Sequence, residues 1–242
     1  MEAEKLFQKR STSMIILSKR VLLFLLVSTL HFEAMAQQND FGLWLNFNIE
    51  KKMTERSSLY LNSLARFQHN ASELGTIGSE LGYGYKLPRQ YSLSLTYRYF
   101  SRSRPDRSFS ERHRIFIDVS KQKSIFGFTV QGRLRFQYQV RDVLSSDLPW
   151  LNASYYLRPM LFVSKRINYH WSVYTMNELF IPLPHLQPSP LQPVDRLMTY
   201  VGVNYRLNRH LELIPYYLIN MQLNAPNRQT SFIVGLRTDI TF

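Results

Sequence analysis

Apolar residues recur at every second position from residue 37 onward, rather than at every third or fourth. Period two is typical of a β-strand with one apolar and one polar face. In the clearest run, residues 126–140, Phe, Val, Leu and Tyr alternate with Thr, Gln and Arg. Eleven runs begin near Phe41, Ser58, Gly75, Tyr91, Ser110, Phe126, Asn152, His170, Arg196, Leu211 and Ser231. The pattern predicts an all-β chain.

The length of the runs favours a membrane barrel. They exceed the five or six residues of ordinary strands and reach the roughly 9 to 11 that a tilted strand needs to cross a bilayer. Short connectors such as 87–89 alternate with long ones such as 181–194, as in outer-membrane barrels. Because lipid leaves no backbone group unpaired, the strands must close. We predict an antiparallel up-and-down transmembrane β-barrel; a soluble lipocalin-like barrel with an apolar interior is the alternative.

The strand number follows from an assumption about the termini. If both termini are periplasmic, the number is even, as in single-chain bacterial barrels. We therefore predict ten or twelve strands, with twelve preferred, which requires one run not to span or a strand hidden in residues 141–151. Aromatic residues near both ends of the runs match two interfacial girdles. Arg, Gln, Glu and Asn then face the lumen, and Leu, Ile, Val and Phe face lipid.

The N-terminus has the pattern of a secretory signal peptide. The apolar run Val21–Leu30 is too short to cross a bilayer as a helix. Lys19 and Arg20 precede it and Ala34-Met35-Ala36 follows it, which predicts cleavage after residue 36. A buried core helix is the alternative. The predicted domains are a signal peptide at 1–36, with Met14 as an alternative start, and a barrel at 37–242.

Composition excludes several classes of protein. The chain has no Cys, so it has neither disulfides nor a Cys nucleophile. Its 30 Lys and Arg residues against 17 Asp and Glu residues are compatible with nucleic-acid binding. An exported protein meets no cytoplasmic nucleic acid, however, and we expect no nucleic-acid partner. After predicted cleavage, 25 basic and 14 acidic residues remain.

Short segments along the mature chain resemble a known family. They are Asp40-Phe41-Gly42-Leu43-Trp44-Leu45, Leu81-Gly82-Tyr83-Gly84-Tyr85-Lys86-Leu87, Tyr97-Arg98-Tyr99, Glu111-Arg112-His113-Arg114-Ile115 and Asn177-Glu178-Leu179-Phe180. Together they look like the outer-membrane barrel family called domain of unknown function 2490, which is common in Bacteroidota. The resemblance implies a fold and a location in the bacterial outer membrane. It carries no established activity and no catalytic residues.

Alternation assigns many charged residues to the lumen. The lumen-lining candidates are Arg66, Arg98, Arg112, Arg114, Arg133, Arg135, Arg158, Arg206 and Arg237, with Glu50, Glu80, Asp118, Glu178, Glu212 and Asp239. Fixed positive charge favours anions, so one interpretation is a small anion-preferring channel. The alternative is a passive structural barrel, in which these charges pair and fill a narrow interior.

Two long connectors are further candidates for binding. The stretch 101–109 contains Arg102, Arg104 and Arg107, with Arg112 just after it, and could bind lipopolysaccharide phosphates or an acidic ligand. An ordinary solvated basic loop is the alternative. The second connector is stiffened by prolines and suits a lid or a rim: Pro182, Pro184, Pro188, Pro190 and Pro193.

Some outer-membrane barrels are lipases or deacylases, which need a nucleophile beside a base. His170 and Ser172 lie two residues apart on one face of a strand, whereas His113 has only Glu111 at that distance. The six His have no metal-ligand spacing, and we expect no cofactor. An enzyme remains an alternative function, as does a surface adhesion or assembly protein that uses the long loops.

We expect a monomer whose partners are outer-membrane lipids and the barrel-assembly machinery. That machinery would engage the C-terminal strand, which ends in Phe242.

Overall fold

The chain forms eleven β-strands in the part that the structure, a computed structural model, describes: residues 39–104, 106, 108–142, 153–183, 193–223 and 229–242. The strands are β1 (Asn39–Lys52), β2 (Ser57–Gln68), β3 (Glu73–Lys86), β4 (Tyr91–Ser103), β5 (Phe109–Ile125), β6 (Phe128–Arg141), β7 (Ser154–Arg166), β8 (Trp171–Pro182), β9 (Arg196–Arg206), β10 (Leu211–Gln222) and β11 (Gln229–Thr241). Each begins within two residues of a run predicted from the sequence. The predicted signal peptide, the possible strand in 143–151, Arg107, Pro184, Pro188 and Pro190 lie outside the described residues.

The strands close into a single barrel. Consecutive strands pair antiparallel, and β1 pairs with β11 in parallel, from Asn39 opposite Thr230 to Glu50 opposite Thr241. At the end of this seam the Phe242 amide donates to the Glu50 carbonyl at 2.9 Å, and the Lys52 amide donates to the Phe242 carbonyl at 3.0 Å. The closure leaves no free sheet edge among the described strands.

The predicted count of ten or twelve strands is wrong. An odd number closes only if the first and last strands run in the same direction, and β1 and β11 do so. The prediction of an even number assumed that both termini lie at the same end of the barrel. Instead β1 begins at the end that carries the long connectors, whereas β11 finishes at the end that carries the short turns.

Local sequence explains the tightest of the short turns. Phe126 and Gly127 alone connect β5 to β6, and both have positive φ, at 50° and 75°. Two-residue hairpins require such a conformation, which glycine adopts without steric cost. A three-residue 3-10 turn lies at Pro88–Gln90. Among the described residues, no helical segment has the length and hydropathy of a membrane span.

The outer surface of the barrel is apolar along the strands. Large apolar side chains such as Leu81, Leu95 and Leu161 are more than half exposed there. The lumen is less polar than the alternation suggested. Buried apolar residues on the inward face include Leu64, Phe100, Phe116, Phe180, Met198, Ile214, Leu218 and Ile233. The expectation that Leu, Ile and Phe all face lipid is therefore wrong, because the interior of a small barrel must be filled as well as polar.

The lumen has two walls of different character. Along β8–β11, Phe180, Met198, Leu218 and Ile233 form an apolar cluster, against which Trp44 and several tyrosines pack. Along β3–β8 the inward side chains include the buried ion pairs of the lumen. Three inward tyrosines lie over glycines on the neighbouring strand, where a Cβ would collide with the ring: Tyr60 over Gly82, Tyr174 over Gly202 and Tyr216 over Gly235. These rings lie along the wall.

Candidate functional site

Three cavities follow one another along the lumen. The outer cavity opens at the long-connector end and has a volume of about 670 Å³. The middle cavity measures about 460 Å³. The inner cavity, at the short-turn end, measures about 500 Å³. They form the candidate functional site.

Arginines stand where one cavity meets the next. The outer and middle cavities share Arg66, Arg114 and Arg196, together with Trp44. The middle and inner cavities share Gln131, Arg133 and Arg237. A solute that moved along the lumen would therefore pass guanidinium groups at both boundaries.

A central belt of ion pairs lines the middle of the charged wall. Arg135 binds Asp118 through two hydrogen bonds, Nε to Oδ1 at 2.6 Å and Nη2 to Oδ2 at 2.7 Å. Glu178 accepts one hydrogen bond from Arg158 at 2.7 Å and another from Arg133. Arg158 also donates to the Gln137 Oε1 at 2.6 Å. All six side chains of the belt are buried or nearly so, and each carboxylate has a guanidinium partner.

Aromatic rings position the guanidinium groups. Arg135 lies over the Phe116 ring at 3.8 Å from its centroid, and Arg158 lies over Phe180 at 3.9 Å. Both rings are almost fully buried. Stacking on an aromatic face suits the planar guanidinium group. The contact between Arg158 and Phe180 joins the charged wall to the apolar cluster.

The outer cavity differs from the belt in its charge balance. Five arginines line it (Arg66, Arg102, Arg112, Arg114 and Arg196), and its only carboxylate among the described residues is Asp40. Within the described part of the chain, none of the five arginines forms an ion pair with a carboxylate. Asp40 accepts a hydrogen bond from the Asn70 amide at 3.1 Å. Positive charge is therefore concentrated at the long-connector end of the lumen.

Most of the lumen-lining candidates border these cavities. Twelve do so: Arg66, Arg98, Arg112, Arg114, Arg133, Arg135, Arg158, Arg237, Glu50, Glu80, Asp118 and Glu178. Arg98 and Glu80 form an ion pair. Arg206 pairs with Glu212 at 2.6 Å, and Arg237 pairs with Asp239 at 2.9 Å, both towards the short turns.

Two arginines of the outer cavity were not assigned to the lumen from the sequence. Arg102 was placed in a loop, but β4 continues to Ser103, so Arg102 shares the inward face with Arg98. Arg196 is the first residue of β9 and lies on the inward face with Met198 and Tyr200. Extending the alternation to the strand ends would have found both.

The basic connector 101–109 is partly neutralised by a neighbouring acidic residue. Arg104 donates to the Asp142 carboxylate at 2.6 Å, and the Ser110 hydroxyl donates to the same oxygen at 2.8 Å. In the connector itself, the Ser108 hydroxyl and amide donate to Asp106 and lower the pKa of its carboxyl group. The exposed charge of this connector is therefore smaller than its arginine content suggests.

The His170 side chain is bonded to the end of the neighbouring strand β9. Its Nδ1 donates to the Arg206 carbonyl at 2.8 Å, and no hydrogen bond joins it to Ser172. The next turn on this edge repeats the arrangement, with His210 Nδ1 donating to the Thr241 carbonyl at 2.7 Å. In both turns an Asn side chain accepts from the backbone amides of the second and third residues after it, Asn168 in the first and Asn208 in the second. Two histidines with the same contacts indicate a repeated turn motif.

His113 lies on the outward face of β5. Its Nδ1 is 2.6 Å from the Tyr97 hydroxyl, and its ring packs edge-on against Tyr99 at 5.2 Å. Over the part of the chain that the structure describes, no three His, Asp or Glu side chains are placed to hold a metal ion.

Comparison with known proteins shows a matching family and similar solved structures, among them two autotransporter domains. The model of a family described as "Protein of unknown function (DUF2490)" matches residues 41–231. The β domain of the Bordetella autotransporter BrkA has 10% sequence identity and a TM-score of 0.45, with 75% of this chain and 82% of that chain covered. The translocator domain of the autotransporter NalP from Neisseria meningitidis has 13% identity and a TM-score of 0.41, with 74% and 72% covered. None of the curated proteins matches the chain.

Proposed function

The chain belongs to the DUF2490 family of proteins of unknown function, so its role must be argued from its own lumen, and we propose that it is a bacterial outer-membrane barrel that admits small anions. The observation that carries this proposal is the outer cavity, where five arginines lie without a carboxylate partner among the described residues.

The surface of the barrel supports the location. Its outward residues form an apolar band, and closure of the strands pairs the backbone groups that lipid would leave without partners. Exposed aromatic residues stand near the short turns, as in an interfacial girdle: Tyr83, Tyr85, Tyr91, Phe126, Phe128 and Phe242. By the same rule the short turns face the periplasm and the long connectors face outward. Export by a signal peptide at 1–36 and insertion by the barrel-assembly machinery through β11 belong to this proposal.

The charge of the lumen supports anion preference. Rings of fixed positive charge attract anions and repel cations at close range. In the central belt three arginines share two carboxylates, so the excess positive charge there is smaller than in the outer cavity, where five arginines face one carboxylate. The arginines of the outer cavity and of its boundary with the middle cavity lack such neutralisation. Anions would therefore accumulate at the outer end and pass inward along successive guanidinium groups.

Single-channel recording in planar bilayers tests the proposal. With a KCl gradient, we expect a small conductance whose reversal potential has the sign of chloride preference. Replacing Arg66 and Arg114 together by Gln should move the reversal potential towards zero, since both guanidinium groups border two cavities. These two are better targets than Arg133 and Arg135, whose removal would leave the buried Asp118 without a guanidinium partner and Glu178 with Arg158 alone.

Arg209→Gln is the matched control for charge. Arg209 is exposed in the short turn between β9 and β10, so its loss removes a positive charge outside the cavities. Its reversal potential should equal that of the wild type. Absence of conductance in correctly folded protein, or an unchanged reversal potential in the double variant, would refute anion passage and leave a structural barrel.

A further inference from the structure

The outer cavity has the composition of a binding site and not only of an entrance. Its five guanidinium groups come from four strands, β2, β4, β5 and β9, and converge on one space. Like charges brought together on a barrel wall repel one another, and stability alone would favour an equal number of carboxylates. The central belt has two carboxylates for three arginines, whereas the outer cavity has one, Asp40, for five. Such an excess of like charge is typical of a functional site.

The guanidinium groups are held in place from behind. Arg66 lies over the Trp44 ring at 3.8 Å, and Arg114 lies over Phe100 at 4.9 Å. Arg114 also donates to the neutral Gln139 amide oxygen at 3.0 Å through Nε. Because their flat faces are covered by rings, the remaining N–H groups of these arginines are directed by the packing rather than by an anionic partner. Such positioned forks bind carboxylates and phosphates through paired hydrogen bonds.

Size and neutral groups restrict the ligand further. The cavity volume of about 670 Å³ lies within the range of about 300 to 1,000 Å³ that small-molecule sites occupy. Asn220, Gln222 and Gln229 add amide groups to the lining, and amides can bind hydroxyl groups as donors or acceptors. The cavity lies on the inward face of the strands, where the acyl chains of a membrane lipid do not reach.

We infer that the outer cavity binds a small soluble solute that bears at least two acidic groups, carboxylate or phosphate, such as a sugar-sized organic acid. The inference rests on the proposed function for the direction from which the solute arrives. Arg112 and Arg196 are the residues with which to test it, because each lines this cavity and neither pairs with a described carboxylate.

Trp44 provides a reporter inside the cavity. The chain has three tryptophans, so the folded protein with Trp150 and Trp171 replaced by Phe leaves Trp44 as the sole indole. We expect pyrophosphate and citrate to change its fluorescence saturably and glucose to leave it unchanged. Arg112→Gln and Arg196→Gln should each weaken binding about tenfold or more, as expected for a lost hydrogen bond between charged groups. Arg209→Gln should bind like the parent.

Three outcomes would overturn the inference. They are a response that rises linearly without saturation, an equal response to glucose, and an unchanged affinity in both arginine variants. Lipid A vesicles provide a further arm, since saturation by lipid A and not by pyrophosphate would assign the anion site to a lipid headgroup and refute a soluble solute.

Bilayer recording separates this inference from the proposed function. If binding saturates but no current flows, the site stands and anion passage fails. If anion-selective current flows but no anion binds saturably, the site fails alone. If both hold, pyrophosphate added on the long-connector side should reduce the chloride current at lower concentration than on the other side.

Discussion

Glu178→Gln should destabilise the barrel far more than the same change at Glu212. Glu178 is 3% exposed and accepts hydrogen bonds from Arg133 and Arg158, so the substitution leaves two buried guanidinium groups without their counter-charge. Removing one partner of a buried ion pair costs about 3 to 5 kcal/mol. Arg158 keeps its hydrogen bond to Gln137, and Arg133 lies 4.0 Å from Asp118. This residual compensation places the expected loss near the lower end, about 3 kcal/mol.

The Glu212 pair is the matched control, since it involves the same residue types at the short-turn end. The side chains of Arg206 and Glu212 are 34% and 28% exposed, and partly exposed pairs contribute about 0 to 1 kcal/mol. The free energy of unfolding would be measured for both variants by urea titration in lipid vesicles, where reversible folding permits the comparison. Equal losses for the two variants, or a loss below about 1 kcal/mol for Glu178→Gln, would refute the reasoning that Glu178 is the buried counter-charge of Arg133 and Arg158.

Three further predictions concern the core, the turns and the topology. Leu218→Ala should cost about 2 to 5 kcal/mol in urea titration, because Leu218 is 0% exposed within the apolar cluster; a loss below about 1 kcal/mol would contradict that packing. His170→Ala and His210→Ala should each cost about 1 kcal/mol, since each loses one hydrogen bond to a carbonyl. Phospholipid turnover abolished by the His170 change alone would instead support an enzyme. An epitope inserted directly before Asn39 should be reached by antibody on intact cells, like one in the 104–108 connector, and protection of the Asn39 epitope would contradict the parallel seam.

The alternation of residues predicted the strands well because the barrel wall has an apolar outer face and a more polar inner face. Most outward positions are apolar, so eleven strands could be found, each beginning within two residues of its predicted start. The closure could not be found in this way, because alternation describes the two faces of a strand and not its neighbours. β1 meets β11 in parallel only if the number of strands is odd. The even number known from other barrels led to the wrong prediction of an antiparallel closure.

The candidate site was only partly predictable for a related reason. Inward parity identifies Arg66, Arg112 and Arg114, but it does not tell which arginines pair with carboxylates. Pairing depends on the offset between neighbouring strands, such as the register that sets Asp118 opposite Arg135. Inward apolar residues such as Leu218 were not predicted, because every apolar side chain was assumed to face lipid.

The parallel seam has a consequence for how the barrel is made. Each antiparallel strand can join its predecessor through a local turn, but β1 must wait for β11, which lies about 190 residues later in the chain. Until then two rows of unpaired amides and carbonyls point outward, at a cost of several kcal/mol for each group that meets hydrocarbon. Ten strands can be added as five antiparallel hairpins, which leaves the eleventh strand without a hairpin partner. This strand must pair with β1 in parallel. An assembly factor of the kind proposed above would therefore have to shelter two edges that run the same way until Phe242 bonds to Glu50 and Lys52.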